Sequence, residues 1–202
     1  MNLTLIIPPA SEPIAIGAVE LQTRNVDLTA EADVVDLIIG SVRERAESIT
    51  KRALITQVWE LTLDAFPSGR GIIQLPKPPL QTVNSIKYLD SDGVEQTLSS
   101  LAYRVITTSE PGYVLPVYNS EWPVALNDIA SVTINFTCGY GPIAPDTSDN
   151  IPKSIKQWML INAASLFENR ESVVIGARGE VAIDLTETIC DGLIANYRIM
   201  KL

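Results

Sequence analysis

Between residues 32 and 49, Val34, Val35, Ile38, Ile39, Val42, Ala46 and Ile49 recur at spacings of three and four. Asp33, Asp36, Arg43, Glu44 and Glu47 take the positions between them, so the segment is expected as an amphipathic helix with its charges in solvent. Thr29 or Asp27 stands where a cap would start it. A shorter helix is expected over 16–23, after the break at Pro13. With only residues 24–31 between the two, an antiparallel helical hairpin follows.

The period then changes. Over 55–63, Ile55, Gln57, Trp59, Leu61 and Leu63 alternate with Thr56, Val58, Glu60 and Thr62, which reads as a half-buried strand. Further strands are expected over 71–75, 83–89, 94–98, 103–106, 113–117 and 132–137. Asp90-Ser91-Asp92-Gly93 fits a hairpin turn, glycine supplying the positive φ. Pro76, Pro78 and Pro79 predict short strands, partly at sheet edges. The helical period returns after 139–151, with Pro152 at a first-turn position. Ile155, Trp158, Met159, Asn162, Ala163, Leu166 and Phe167 form one face, ending near Asn169-Arg170-Glu171. A last helix is expected over 187–199, its buried side carrying Ile189, Leu193, Ile194 and Tyr197, and Gly192 costs it up to about 1 kcal/mol relative to alanine.

Helices, a β block, then helices make an α+β chain. The expected organisation is an N-terminal helical segment over 1–54 and an inserted antiparallel β block over 55–138. Helices over 139–202 then complete a small helical core with the N-terminal hairpin. No internal repeat or low-complexity tract interrupts this order.

Composition removes more functions than it suggests. With 202 residues, 46% hydrophobic and 19% charged, the chain is globular, one domain with an insertion. It contains no histidine. That excludes Ser-His-Asp and Cys-His nucleophile pairs, histidine zinc sites and an imidazole pH switch. Cys138 and Cys190 are too few and too far apart for a disulfide framework or metal knuckle. The apolar run over 1–10 lacks a basic flank and ends at Pro8-Pro9, a poor secretory signal, and no stretch is long enough to span a bilayer. The chain is expected in a cytoplasm, where Asn2-Leu3-Thr4 and Asn135-Phe136-Thr137 are not glycosylated.

A net charge of −9 argues against gripping nucleic acid through its phosphates. The charge is uneven. No basic residue falls between Arg104 and Lys153, while Glu110, Glu121, Asp128, Asp146 and Asp149 do. Such a stretch is either a solvated face or a surface that must not hold passing DNA. Tyr118 and Trp122-Pro123 beside it are either interface anchors or caps on the sheet's core. Gly176-Ala177-Arg178-Gly179 follows a helix rather than a strand, so it reads as a mobile tip able to order against a neighbour, not as a phosphate loop. Thr137-Cys138-Gly139-Tyr140-Gly141 has the residue order of a channel filter without the flanking membrane helices, and reads as a strand ending in a glycine turn. Asp90, Asp92 and Gly93 lack the further ligands of a calcium loop. Acid pairs can hydrolyse without histidine, but no pair is marked out as sharing a cleft.

Several words in order carry a resemblance. Pro9-Ala10-Ser11-Glu12-Pro13 precedes the first helix, and Thr50-Lys51-Arg52-Ala53-Leu54-Ile55-Thr56-Gln57 follows the second. Next come Leu75-Pro76-Lys77-Pro78-Pro79-Leu80, Tyr88-Leu89-Asp90-Ser91-Asp92-Gly93 and Thr137-Cys138-Gly139-Tyr140-Gly141. Asn169-Arg170-Glu171 closes one helix and Ala195-Asn196-Tyr197-Arg198 the last. From Pro8 to Arg198 the chain resembles the head–tail connector (adaptor) proteins of tailed bacteriophages. Ala15 departs from the Ser or Thr usual before the first helix, and Cys138 from the usual small residue.

The resemblance implies structural virion-assembly work without catalysis or cofactor. It implies a ring of about twelve copies, closed head to tail, under the portal protein at the head–tail junction, assembled in the host bacterial cytoplasm. The ring would extend the channel through which DNA passes without specific binding, and would dock a tail-side completion or stopper protein, with no membrane contact. Glu110, Tyr118, Glu121, Trp122, Asp128, Asp146, Asp149 and Arg178 are the candidate interaction or lumen residues. The alternatives are a tail-completion or baseplate protein that never meets the portal, and a carboxylate-dependent hydrolase.

Overall fold

In the computed structural model, which describes residues 1–24, 28–141, 150–168 and 192–199, the period-two segments are strands and the 3.6-period segments helices. In chain order they are β1 (Asn2–Ile7), α1 (Ile16–Thr23), a 3-10 turn at Thr29–Glu31, α2 (Ala32–Thr50), β2 (Gln57–Leu63), β3 (Ile73–Gln74), β4 (Leu80–Leu89), β5 (Glu95–Thr97), β6 (Tyr103–Ile106), β7 (Tyr113–Pro116), β8 (Val132–Cys138) and α3 (Lys153–Glu168). The class is α+β with an antiparallel β block, as the pattern predicts. Two compact units divide the chain: Met1–Ala10 with Lys51–Thr147, and Ser11–Thr50 with Ser148–Leu202.

The first unit is built on β8. Val132, Ile134, Phe136 and Cys138 are buried, while Thr133, Asn135 and Thr137 alternate on the other face. Both neighbours match this alternation: Trp59, Leu61 and Leu63 of β2 lie opposite Phe136, Ile134 and Val132, and Ile86 and Tyr88 of β4 lie opposite Ile134 and Val132. The five-stranded sheet runs β1-β2-β8-β4-β5, and a three-stranded sheet runs β3-β7-β6. Ile73, Leu75, Tyr103 and Val114 from the smaller sheet's segments join Leu61, Ile86, Ile134 and Phe136 in one core.

Two expectations about strands are corrected. Asn2–Ile7, assigned to a helical segment, is a strand paired antiparallel to β2, with Leu3 opposite Leu61 and Leu5 opposite Trp59. Five of its six residues are exposed, so core burial never imposed a strict alternation on it. β4 is neither short nor at an edge: it has 10 residues between β8 and β5. Pro76, Pro78 and Pro79 all lie ahead of it, where the missing N–H groups cost the ladder nothing.

The turn between β4 and β5 is the expected one. Gly93 has φ 76°, and its N–H donates to the Asp90 carbonyl at 3.0 Å. The Asp90 carboxylate accepts the N–H groups of Val94 and Asp92, each at 3.0 Å, and the Gln96 amide at 2.8 Å. The Val94 bond, then Gln96, hold the Asp90 pKa below its ordinary value of 3.8 against desolvation, and the Asp92 bond adds less. A lowered carboxylate pKa stabilises the fold above the ordinary value, and the contribution fades as pH falls through the lowered one. The Asp92 and Val94 amide resonances are therefore expected to titrate together below pH 3.8, which an NMR pH series reads. A midpoint at or above that value contradicts the turn geometry.

The second unit buries Val35, Ile39, Val42 and Ala46 of α2 against α3. Ile155, Trp158, Met159, Ala163 and Phe167 of α3 are buried as expected, and the Pro152 carbonyl accepts the first bonds, from Ile155 at 2.9 Å and Lys156 at 3.2 Å. Leu166, expected on that face, is 47% exposed, and Val34 of α2 is exposed as well. Arg43 and Glu47, expected in solvent, are buried: Arg43 Nε donates to Glu12 at 2.9 Å and a second guanidinium nitrogen lies 3.6 Å from Glu47. Mutual neutralisation is what lets those charges leave water. α1 packs more broadly on α3 than on α2, so the hairpin expected between the first two helices is shared with a third. No side chain caps α1 at Ala15.

Of the last expected helix, 187–191 lies outside the described residues. Residues 192–195 are helical and Ile194 is fully buried, but the chain leaves the helix after 195, and Ile199 N–H donates to the Thr50 carbonyl at 3.0 Å.

Candidate assembly interface

The surface of the β unit has three distinct regions. The first is the outer edge of β1. Strand β1 has β2 on one side and, among the described residues, no strand on the other. It carries no charge, and Leu5, Ile6 and Ile7 are 41%, 46% and 55% exposed. Beside its start opens an apolar groove of about 440 Å³ lined by Met1, Leu61, Leu63, Phe66, Pro67 and Ile72. This edge went unnoticed in the residue pattern, where the alternation of Leu3 and Leu5 with Asn2 and Thr4 was its only signal.

The second region holds the expected aromatic residues, and it separates them. Trp122 is buried: its indole N–H donates to the Gly71 carbonyl at 2.7 Å and its ring stacks on Phe66 with centroids 5.0 Å apart. Of its two readings, the cap on the sheet's core describes what it touches. Tyr118 is 78% exposed, with the Arg70 guanidinium 5.5 Å from its ring centre. An exposed aromatic with an arginine over it is the residue pair that protein interfaces favour.

The third region is the acidic stretch, and its charges are unequal. Glu110 accepts from the Arg52 guanidinium at 2.6 Å. Burial works against the Arg52 charge, but Glu110 and the neighbouring Tyr140 outweigh it and lift the Arg52 pKa above its ordinary value. Glu110 is thereby neutralised in place. Glu121 and Asp128 are exposed. The Asp128 carboxylate accepts the Ile129 N–H at 2.7 Å and its carbonyl accepts the Ser131 hydroxyl at 2.9 Å, so this acid also shapes the loop ahead of β8. Asp146, Asp149, Arg178 and the tip over 172–180 lie outside the described residues.

Among the described residues, no group of three or more Cys, Asp or Glu side chains is placed to hold a metal ion, and no helix is long and apolar enough to cross a membrane.

No family model matches the chain, and no curated protein matches it in sequence. Solved structures do match its fold. A chain in the neck of an empty gene transfer agent (GTA) particle, computed with C6 symmetry, superposes with a TM-score of 0.75 at 22% identity, over 100% of this chain and 97% of that one. A chain in the neck of the native particle, computed with C12 symmetry, gives 0.64 at 20% identity, with the same two coverages. One in the virion of the native particle gives 0.68 at 20% identity, again over 100% and 97%. Over its whole length, the chain has the fold of a protein from the neck of a gene transfer agent particle.

Proposed function

We propose that this chain is a head–tail adaptor: a ring subunit in the neck of a phage-like particle, beneath the portal, that extends the DNA channel and docks tail-side proteins. The observation that carries the reading is the fold shared over 100% of the chain with neck proteins of a gene transfer agent particle. Those necks were computed with C6 and C12 symmetry, which supports a closed ring here. A cyclic ring requires each copy to meet its two neighbours through two different patches. The work is structural, with no cofactor and no turnover, and the ring belongs to the virion after assembly in the host cytoplasm.

In this reading the exposed Glu121 and Asp128, both in the base-free stretch, face the channel. Their charge keeps DNA phosphates from adhering as the genome passes. Glu110 contributes little, because Arg52 already balances it. Tyr118 with Arg70 serves as a protein-docking point.

Negative-stain microscopy with light scattering tests the reading, on the protein alone and mixed with its portal. A closed ring, free or seated on the portal, is the expected result. A monomer that ignores the portal at high concentration overturns it, and binding to tail proteins alone would move the chain to tail completion.

A further inference from the structure

Leu101 is 85% exposed in the turn between β5 and β6, and the backbone holds it there. Its N–H donates to the Ser99 hydroxyl oxygen at 3.3 Å, and the Ala102 N–H donates to the Ser99 carbonyl at 2.9 Å. The Ala102 carbonyl in turn accepts the Val117 N–H at 3.1 Å, which ties the turn to the chain leaving β7. No charged residue falls between Glu95 and Arg104. The turn is thus an uncharged knob whose leucine gains from leaving water. The apolar groove described above has matching chemistry. None of its lining side chains is charged, and the buried Leu61 and Ile73 form its floor. Phe66 lines it with a ring already fixed by stacking on Trp122.

We infer that Leu101 of one copy seats in this groove of the next copy, as an anchor of the contact that closes the ring. The inference rests on the ring reading, because a cyclic ring needs two different patches on every copy. Strand order places the knob and the groove on opposite sides of the β unit. In the five-stranded sheet the groove borders β1 and β2, while the turn leaves β5 at the far edge. In the three-stranded sheet the groove borders β3, while the turn enters β6, again at the far edge. With neighbouring strands about 4.8 Å apart, the larger sheet's two edges are about 19 Å apart. A copy therefore does not fill its own groove, and a neighbour displaced along the sheet does. Charge points to the same occupant. The chain carries −9, so two copies meet with least repulsion where both surfaces are uncharged. Val124 and Ile129 are as exposed as Leu101, but Glu121 and Asp128 stand beside them.

Two measurements on the full chain test this. Light scattering reads the protein concentration at which rings form, alone or on the portal. Leu101→Ser is expected to raise that concentration by about 10-fold or more, because each contact loses a buried leucine. Val124→Ser, which removes an equally exposed side chain, is expected to leave it unchanged. Separately, Leu101→Cys protein is mixed with Ile72→Cys protein, both carrying Cys190→Ser, then assembled and oxidised. Ile72 lines the groove and is half exposed, so a covalent dimer is expected in the mixture and with neither variant alone. Three results overturn the inference and leave the ring reading intact: Leu101→Ser rings at the wild-type concentration, an equal loss in both serine variants, or rings without the mixed dimer. Failure of the wild-type chain to form a ring, alone or with its portal, overturns both.

Discussion

Gly139→Ala is expected to unfold the β unit at markedly lower denaturant, with a loss of about 3–5 kcal/mol. Gly139 ends β8 with φ +121°, a conformation that alanine adopts only under strain. A Cβ there would stand 2.6 Å from the Ile55 carbonyl carbon and 2.9 Å from the Thr56 nitrogen, and closer still to the Ile55 oxygen. All three are backbone atoms, so no side chain can swing away. The strands around it are also tied through this residue. Its N–H donates to the Pro79 carbonyl at 2.9 Å, its carbonyl accepts the Gln81 amide at 2.8 Å, and Tyr140 N–H donates to the Leu54 carbonyl at 3.3 Å. Urea denaturation followed by the fluorescence of Trp59 and Trp122, both in this unit, measures the change. A wild-type midpoint would show that the close approach does not exist in solution.

Trp158→Ala is expected to do comparable damage in the other unit. Trp158 is 1% exposed on the buried face of α3, which also carries Ile155, Met159 and Ala163. Replacing a buried tryptophan with alanine costs about 3–5 kcal/mol, because the lost contacts leave a cavity that rigid helices only partly refill. Amide exchange in α2 and α3 reads the loss directly, since removing the indole removes one fluorescence reporter. Faster exchange throughout both helices is expected. Unchanged protection would mean that the seam formed by Val35, Ile39, Val42 and Ala46 does not depend on α3.

The elements were legible wherever burial is one-sided. The interior strand β8 alternates over its whole length, and the strand expected over 132–137 is the one found, longer by Cys138. Likewise α2 shows its seam at three- and four-residue spacing, although Val34 turned out to lie beside the seam rather than in it. β1 was missed for the converse reason. An edge strand with most of its side chains exposed has no dry face to enforce a pattern, and its identity as a strand comes from β2, more than 50 residues away in the chain.

The candidate surface was less legible, because counting charges says nothing about their partners. The base-free stretch is visible as such, yet Glu110 is balanced by Arg52 from 58 residues upstream. Arg43 and Glu47 looked like a solvated helix face until Glu12, 31 residues from Arg43, closed over them. Trp122 was open to two readings until Phe66 and the Gly71 carbonyl took up both its ring and its N–H.

By itself, then, the sequence determined the α+β class, the order of nearly every element, the Asp90–Gly93 turn and the exclusion of imidazole chemistry. Each of these depends on composition or on torsions and periodicities within a few residues. Only the tertiary structure decided which sheet edge stands open, which acids stay free to face a partner and which aromatic is exposed. Those properties belong to pairs of residues far apart in the chain, and a local pattern carries no record of which distant groups the fold brings together.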